Sequence, residues 1–460
     1  MRIVSGLVGR PPGGPSRPAG VNVGFTRSVE TPPAVADGHV DRGDFVAQER
    51  LTYLRQVCEL LWPAPAVVTM DGGRGQLSAM GIARHRARCS RRPGVSNFGL
   101  VPGLRRPPLL VPAEQHVAAA AVHHFSGQRS RAARITTKMF SLVLASGFGD
   151  AVLRGRVQVD ALPAAETIET YLAAVLGQDI MVSMYLGPPR ANRKPVLQVL
   201  TPDGNPVAFA KVGINALTCR LVRAERDALA RLDKADLADI SLPRVLHHDQ
   251  WHGLEVLVLS AVPAWTRRQQ LPPARLAAAM NAVARVDGLH SEPLHGSAYL
   301  RRLRDRLASA DKGPEQAALM WALDTLGTRS GRTALTFGAW HGDWAPWNMA
   351  STKRGLLVWD WERFTPGVPL GFDALHYRLQ ADLGPGHRDP LTAAAAASKS
   401  AAQLLAPFGI GTEQAWLTGV LYLAELATRY LVDRQASAGA QNGAPGTWLI
   451  PAVTGEVSRL

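Results

Sequence analysis

The chain of 460 residues carries 51 Lys and Arg against 37 Asp and Glu, a formal net charge of +14, and 46% of its residues are hydrophobic. This length and composition describe a globular protein of two or three domains and exclude a disordered or fibrous chain. The three cysteines, Cys58, Cys89 and Cys219, lie far apart without metal-ligand spacing, so the sequence indicates neither a disulfide framework nor a zinc site.

The sequence also bears on the cellular compartment. No apolar run reaches the length of a membrane span, and the opening residues reach Pro and Gly too soon for a secretory signal. Together with the few, scattered cysteines, this leads us to expect a soluble, cytoplasmic protein that does not bind membranes. The sequence leaves its oligomeric state open.

Residues 1–95 are rich in Pro, Gly and Arg, and only Phe45 to Trp62 is typical of a helix. Within this region, Arg84 to Arg92 form a dense basic cluster. Such clusters can bind nucleic acid or anionic lipid, but here no aromatic residues lie between the basic ones and no helix-turn-helix or zinc pattern accompanies them. We therefore expect residues 1–95 to be poorly ordered, nucleic acid to be an unlikely partner, and residues 1–79 to be dispensable, with Met80 as an alternative start.

Residues 96–175 are predicted to form a helical N-terminal extension. The prediction rests on three stretches with the periodicity of amphipathic helices: Glu114 to Phe125, Ile135 to Ser146 and Pro163 to Leu176.

Residues 176–262 are predicted to begin with a three-stranded antiparallel sheet. Three short apolar runs are separated by two strong turn signals: Ile180 to Tyr185, Val196 to Leu200 and Pro206 to Val212. Lys211 stands near the end of the third run, and because burying an unpaired ammonium is costly, it implies an acidic or phosphate neighbour. The next helix, Thr218 to Leu232, carries Glu225 beside its apolar face.

Two further strands follow in SLPRVLHHDQW and LEVLVLSAVPAW, and His247-His248-Asp249 is predicted to be the turn between them. Adjacent residues in a turn point apart, so we interpret these histidines as part of a polar turn rather than as metal ligands. Leu257 to Val262 is predicted to be the last strand of the sheet, and residues 263–460 are mostly helical by periodicity.

The stretch from Ala339 to Phe364 brings together His341, Asp343, Asn348 and Asp360. Pro346 cannot donate a backbone hydrogen bond and disfavours helix before itself, which predicts an irregular loop.

The residues after this loop predict a hairpin. Thr352 to Gly355 is typical of a tight turn between two short strands, which would bring Asp360 back beside Asp343 and Asn348. Mg²⁺ prefers oxygen ligands and usually keeps waters and phosphate oxygens in its shell, so two carboxylates and an amide in this arrangement favour phosphoryl transfer.

His341-Gly342-Asp343, with Asn348 five residues after the Asp and Asp360-Trp361-Glu362 after a hairpin, resembles a known pattern. It is similar to the catalytic loop and metal-binding strand of the aminoglycoside phosphotransferase and choline kinase-like superfamily. The resemblance implies an α/β (α+β) chain with a two-lobed protein-kinase-like fold. In that fold, residues 176–262 form a small antiparallel-sheet N-lobe, residues 263–460 form a helical C-lobe, and ATP binds between the lobes.

The resemblance also implies roles for individual residues. Asp343 would be the catalytic base for the acceptor hydroxyl, and Asn348 and Asp360 would hold Mg²⁺. Lys211 and Glu225 resemble the ion pair that positions the α- and β-phosphates of ATP. The remaining residues implied in nucleotide binding are the backbone of Leu259, Ser260 and Ala261 at the adenine edge, and Asn192, with Arg190, Arg193 and Lys194, in place of the phosphate-covering loop.

Two acidic residues of the pattern carry further expectations. Glu362 matches the acidic residue that follows the family's metal-binding Asp, and Asp373 resembles the acidic residue that braces the catalytic loop.

The sequence therefore favours an ATP- and Mg²⁺-dependent phosphotransferase that phosphorylates a hydroxyl of a small molecule: a sugar, an alcohol-bearing metabolite or an antibiotic. The alternative is a catalytically weak nucleotide-binding pseudoenzyme whose basic N-terminal region contacts nucleic acid or another partner. The presence of Lys211, Asp343, Asn348 and Asp360 together favours the enzyme.

Two tryptophans, Trp344 and Trp347, depart from the family's pattern, and we expect them to add flat apolar faces to the acceptor site. Acidic residues after Phe364 are scattered singly along predicted helices, whereas binding a polycation requires clustered carboxylates. We therefore expect a neutral or weakly charged acceptor rather than a polycationic aminoglycoside.

Overall fold

The structure is a computed structural model. It describes residues 42–71, 94–101, 109–125, 138–148, 153, 155–237, 239–264, 269–353, 355–384, 389–438 and 446–460. The chain divides into two units, residues 1–48 and 49–460, and of the first unit only the opening turns of one helix are described. The basic cluster Arg84 to Arg92 lies outside the described residues, as does most of the region predicted to be poorly ordered.

The helices and strands are as follows, in chain order. The helices are α1 Arg42–Leu61, α2 Gln115–Phe125, α3 Ile168–Leu176, α4 Ala216–Leu232, α5 Pro273–Ala284, α6 Ala298–Ala308, α7 Pro314–Arg329, α8 Phe372–Asp382, α9 Pro390–Lys399, α10 Ala401–Leu405, α11 Thr412–Val432 and α12 Gly446–Val457. The strands are β1 Val67–Asp71, β2 Val95–Val101, β3 Leu109–Pro112, β4 Arg156–Asp160, β5 Met181–Leu186, β6 Pro195–Leu200, β7 Pro206–Gly213, β8 Ile240–Ser241, β9 Val245–Trp251, β10 Leu254–Ser260, β11 His290–Pro293, β12 Ala334–Trp340, β13 Met349–Thr352, β14 Gly355–Val358 and β15 Thr365–Pro369.

The first half of the chain is built on one nine-stranded sheet in the order β1-β4-β2-β3-β5-β6-β7-β10-β9, in which every neighbouring pair is antiparallel. The predicted strands β5, β6 and β7 are present and pair in sequence order. The predicted mixed α/β class, with an antiparallel sheet followed by a mainly helical part, is confirmed.

Residues 96–175 are not helical throughout, which corrects the prediction of a helical extension. α2 and α3 are present, but β2, β3 and β4 lie in or across this segment and extend the sheet. In β4 the exposed Arg156 and Gln158 alternate with Val157 and Val159, whose side chains are buried in the core. This two-residue period is the signal of a half-buried strand.

The α1 residues from 49 onward pack on one face of the sheet. Leu54, Val57, Leu61 and Trp62 are at most 1% exposed and share a core with α3 and the large sheet. β1 then pairs along β4. The expectation that residues 1–79 are dispensable is contradicted by this packing, because their removal would uncover the core.

His247 and His248 lie inside β9, not in a turn as predicted. The turn between β9 and β10 is His252-Gly253, where both residues have positive φ. In the strand, His248 Nε2 lies 2.7 Å from the buried Glu255 carboxylate, while His247 contacts the Tyr171 hydroxyl at 2.9 Å. Neighbouring residues of a strand point to opposite sides, so the two histidines do not form a common site.

The second half of the chain is mainly helical, and its largest core is formed by α6, α7, α8, α9, α11 and α12 with β12. Two small sheets, β11-β12-β15 and β13-β14-β8, lie among these helices. The chain passes from the first small sheet to the second between β12 and β13, and that connection is the loop predicted to carry the chemistry. None of the described helices combines the length and the apolar character that a membrane span requires.

Candidate active site

The loop between β12 and β13 is held in shape by its backbone. Gly342 has φ +81°, and a Cβ there would lie 2.3 Å from the carbonyl oxygen of Arg363, so only glycine fits. The Asp373 carboxylate, on α8, accepts hydrogen bonds from the backbone N–H groups of His341 at 2.8 Å and Gly342 at 3.2 Å. Arg429 donates to the Gly342 carbonyl at 2.7 Å. Asp373 thus holds the loop, the role that the resemblance implied.

His341 is a structural part of this loop. Its side chain is fully buried, its Nδ1 accepts from the N–H of Asp343 at 3.1 Å, and its Nε2 lies 3.1 Å from the Trp359 carbonyl. Burial lowers the pKa of His341 to about 4, so the ring is neutral and its Nε2–H donates to Trp359. The ring therefore joins the loop to the hairpin that carries Asp360.

Asp343 is anchored through both carboxylate oxygens and remains accessible. Oδ1 lies 3.1 Å from His376 Nε2, and Oδ2 accepts from the Asn348 side-chain amide at 2.9 Å. About 35% of the side chain is exposed. Burial acts to raise the pKa of this carboxyl, but the hydrogen bond with His376 opposes it and the pKa lies below its ordinary value. Asp343 is thus an oriented, ionised carboxylate.

The predicted hairpin β13–β14 brings the second carboxylate back to the loop. Met349 pairs with Val358, and the N–H of Trp359 donates to the Asn348 carbonyl at 3.1 Å. Asp360 follows directly, with φ +72° in the left-handed region, an uncommon conformation for a residue other than glycine. The sequence predicted this return, and the structure places Asp360 beside Asn348.

Lys211 joins the large sheet to this second carboxylate. Its Nζ lies 2.5 Å from Glu225 Oε2 on α4 and 2.6 Å from Asp360 Oδ1. Burial acts to lower the pKa of Lys211, but the carboxylates of Asp360 and Glu225 raise it well above its ordinary value. The acidic neighbour that the sequence required for Lys211 is therefore present, and the predicted Lys211–Glu225 pair is formed.

A Thr218–Asn215 capping box begins α4 and fixes the helix on the sheet. Glu225, which is fully buried, lies on the helix face that packs inward with Leu221, Val222 and Leu229. The Trp361 N–H also donates to Glu225 at 3.2 Å. The helix, the sheet and the segment after β14 thus meet at one glutamate.

Glu362 belongs to the same site, although the sequence analysis predicted no particular contact for it. It forms a buried ion pair with Lys194, and the Asn192 amide lies 3.5 Å from its Oε1. Both partners belong to the β5–β6 hairpin, which was predicted to take the place of the phosphate-covering loop. That hairpin therefore reaches the carboxylates that follow β14.

Oxygen atoms of Glu225, Asp360 and Glu362 lie within 4.8 Å of one another. Carboxylate oxygens at this separation are the hard donors that Mg²⁺ prefers, so the residues present fit a divalent cation. Of the two predicted ligands, Asp360 is in this set. Asn348 lies beside it, but its amide N–H group is directed to Asp343.

Leu259, Ser260 and Ala261 are the residues predicted to contact the adenine edge. Leu259 and Ser260 end β10, and Ala261 follows directly. The N–H of Ser260 donates to the Arg244 carbonyl at 2.8 Å, and the N–H of Ala261 donates to the Val207 carbonyl at 3.3 Å. These two donors are used within the protein. A nucleotide base that binds at this segment would therefore have to contact backbone groups other than the N–H groups of Ser260 and Ala261.

The two loop tryptophans differ in their environments. Trp344 is fully buried against Trp361 and donates its indole N–H to Met349 Sδ, so it belongs to the core and the prediction that it lines an acceptor site is wrong. Trp347 is 38% exposed. Both are aromatic and three residues apart, and composition alone does not show which one points inward.

His376 is the site residue that sequence reasoning missed. It lies on α8 at hydrogen-bond distance from Asp343, and its other ring nitrogen contacts the Tyr422 hydroxyl at 3.0 Å. It follows Asp373 by three residues, so helical spacing places both side chains on one face of α8. That spacing was the signal that could have identified it.

The comparisons with known proteins concern structure. No family model matches the chain, and no curated protein matches its sequence. A thermostable mutant of aminoglycoside phosphotransferase APH(4)-Ia matches 63% of this chain and 98% of its own, at 15% identity and a TM-score of 0.42. The choline kinase LicA from Streptococcus pneumoniae matches 64% and 98%, at 12% identity and a TM-score of 0.40. The macrolide 2'-phosphotransferase MphH from Brachybacterium faecium matches 62% and 96%, at 16% identity and a TM-score of 0.38.

Proposed function

We propose that this protein transfers a phosphoryl group from ATP to a hydroxyl group of a small molecule. The observation that carries the proposal is the meeting of Asp343, Asp360 and Lys211 at one site, with Lys211 Nζ 2.6 Å from Asp360 Oδ1. Phosphoryl transfer requires little covalent chemistry from the protein; it requires an oriented acceptor and neutralised phosphate charge. The site contains groups suited to both tasks.

Asp343 is the group that would face the acceptor. Its two oxygens are fixed by His376 and Asn348, while about a third of the side chain stays exposed. It would accept a hydrogen bond from the acceptor hydroxyl, orient that oxygen towards the phosphorus and take up its proton as the new bond forms.

Lys211 and Lys194 are the groups that would face the phosphates. Both are now paired with carboxylates, Lys211 with Glu225 and Asp360, and Lys194 with Glu362. Glu225 would keep Lys211 in place while its ammonium contacts phosphate oxygens. Asp360, with Glu362 or Asn348, would hold Mg²⁺, which supplies charge neutralisation and alignment of the phosphates when bound.

For the acceptor we propose a neutral or weakly charged sugar, nucleoside-like compound or alcohol. Trp347 is the exposed aromatic residue of the loop, and its face suits stacking on a sugar or an aromatic ring. Glu225, Asp360 and Glu362 are already paired with lysines, so these three carboxylates do not form a free acidic surface for a polycation.

A coupled assay of ADP release would test this function with hydroxylated metabolites, neutral sugars and aminoglycosides as acceptors. Acceptor-dependent ADP release that is lost in Asp343→Asn is the expected result. If the folded wild-type protein binds no ATP in calorimetry with Mg²⁺ present, the proposed function is wrong. Turnover of aminoglycosides alone would overturn the proposed acceptor class.

A further inference from the structure

Three side chains from three elements form a linear chain behind the acceptor site. Tyr422 on α11 contacts His376 Nδ1 at 3.0 Å, and His376 Nε2 contacts Asp343 Oδ1 at 3.1 Å. Tyr422 is 1% exposed and His376 is 2% exposed, whereas the Asp343 side chain is 35% exposed. This series of hydrogen bonds therefore runs from the core of the helical part to the surface of the site.

The imidazole has little freedom to turn. Its ring packs edge-on against Trp340, with centroids 6.3 Å apart and an interplanar angle of 88°, and against Tyr422 at 6.0 Å and 80°. Trp340 and Tyr422 are themselves buried against Phe372. Because these rings are close-packed, they restrict rotation of the imidazole and favour the orientation in which Nε2 contacts Asp343.

The hydrogen-bond chemistry selects one neutral tautomer. An ionised carboxylate accepts but cannot donate, so the nitrogen facing Asp343 must carry the proton. In the neutral ring His376 Nδ1 then has a lone pair, and the Tyr422 hydroxyl can donate to it. Burial raises the pKa of Tyr422 well above its ordinary value, so this hydroxyl keeps its proton.

We propose that His376 is a positioning residue for Asp343, and that Tyr422 fixes its tautomer. The inference rests on the proposed function, since positioning matters only if Asp343 acts on an acceptor. His376 and Asn348 hold different oxygens of the same carboxylate, at 3.1 Å and 2.9 Å. The orientation of the carboxylate is thereby restrained, while about 35% of the side chain stays exposed.

Loss of this restraint should affect turnover more than nucleotide binding. His376 has no described contact with Lys211, Asp360 or Glu362, so the proposed nucleotide site would be unchanged. A carboxylate free to rotate is misplaced for part of the time, and small misplacements of a catalytic group lower rates by as much as about 100-fold. We expect His376→Leu to lower kcat on the order of 10- to 100-fold, with KM for ATP within about twofold of wild type.

His376→Gln is the matched variant, because a glutamine amide can place an N–H near the position of Nε2. It should retain several-fold more kcat than His376→Leu, while both variants should melt as single cooperative units. Equal kcat in the two variants, or a rise in KM for ATP that matches the fall in kcat, would overturn the positioning role.

The tautomer can be observed without any turnover. Nitrogen-15 NMR of the full chain labelled at histidine, with His376 assigned by its absence in His376→Gln, should show a protonated Nε2 and an unprotonated Nδ1. Tyr422→Phe keeps the buried ring but removes the hydroxyl, and it should shift the Nδ1 signal. A proton on Nδ1 of the neutral wild-type ring would contradict the inference.

The two kinds of failure are distinguishable. If no acceptor is phosphorylated, the proposed function fails and the positioning role fails with it, whereas the NMR signals still report the tautomer. If turnover is found but the His376 variants behave as wild type, the function stands and the inference alone is wrong.

Discussion

Lys194 and Glu362 form a buried ion pair that joins the β5–β6 hairpin to the segment after β14, across 168 positions of sequence. Their side chains are 8% and 4% exposed. The same hairpin is also held by the N–H of Ala191, which donates to the Gln435 side chain at 3.1 Å. The hairpin that would cover the phosphates is therefore held both by the segment after β14 and by the segment after α11.

The ion pair predicts strong coupling between its two partners. Removing one member of a buried pair leaves an uncompensated charge and typically costs about 3–5 kcal/mol of stability. We expect Lys194→Met to lower the free energy of unfolding by about that amount, because Glu362 then lies unpaired beside Glu225 and Asp360. The measurement is urea unfolding at pH 7.

The matched control is the double variant Lys194→Met, Glu362→Gln, which removes both charges. It should recover much of the stability lost in the single variant, since the remaining groups are neutral. If the single variant is as stable as wild type, the pair does not exist as described. A fully additive double variant would show that the two residues are uncoupled.

Substitutions at Asp343 and at Asp360 should have different effects, the first on turnover and the second on nucleotide binding. Asp343→Asn keeps the size of the side chain but removes the base, so kcat should fall about 10²- to 10⁴-fold while MgATP affinity changes little. Asp360→Ala removes the carboxylate paired with Lys211 and should weaken MgATP binding itself. Titration calorimetry with and without Mg²⁺ measures the second effect. Equal loss of affinity in both variants would contradict this division of roles.

The sequence predicted the site best where its signals are local. Turn residues and short apolar runs define β5 to β7, and the loop, hairpin and Asp360 follow one another within a single short stretch. Lys211 was identified because a lone ammonium in an apolar strand requires a partner.

The features that were missed depend on distant contacts. β2 and β4 pair with each other although about 55 residues lie between them in the sequence. Local periodicity therefore does not show that they belong to one sheet. His376 reaches Asp343 from α8, and Trp344 turns inward because Trp361 and Met349 lie beside it. Only the folded chain shows which side chains meet.

Two buried groups at the loop between β12 and β13, Asp373 and His341, should affect how stability depends on pH. Burial raises the pKa of Asp373 from 3.8 to about 7, although the N–H groups of His341 and Gly342 lower it in part. A raised pKa in the folded state means that this carboxyl favours folding below its unfolded pKa and loses that contribution as pH rises through about 7.

His341 acts in the opposite sense. Burial lowers its pKa from 6.5 to about 4, so its contribution is present above 6.5 and is lost as pH falls through about 4. The two effects oppose each other between about pH 4 and 6.5, which should leave the wild-type stability only weakly dependent on pH in that window.

Asp373→Asn removes one of the two effects and leaves His341 in place. The melting temperature of the variant relative to wild type should therefore rise from pH 4 to pH 7 and become constant above about pH 7.5. Differential scanning calorimetry across this range measures it. A difference in melting temperature that is constant from pH 4 to pH 8 would show that Asp373 titrates normally.

The N-terminal helix α1 should be required for folding from Glu49 onward. Val57 and Leu61 are fully buried in the core that the large sheet shares with α3, and β1 covers the edge of β4. A chain that begins at Met80 loses this whole surface, so we expect it to be insoluble or to unfold at a much lower temperature than a chain that begins at Arg42.

Leu61→Ala in the full chain is the finer test, since creating a cavity at a buried leucine costs about 2–5 kcal/mol. The exposed Leu60, which is 39% exposed, supplies the control: Leu60→Ala should change stability by less than about 1 kcal/mol. Equal melting temperatures for the chains beginning at Met80 and Arg42 would show that α1 does not complete this core.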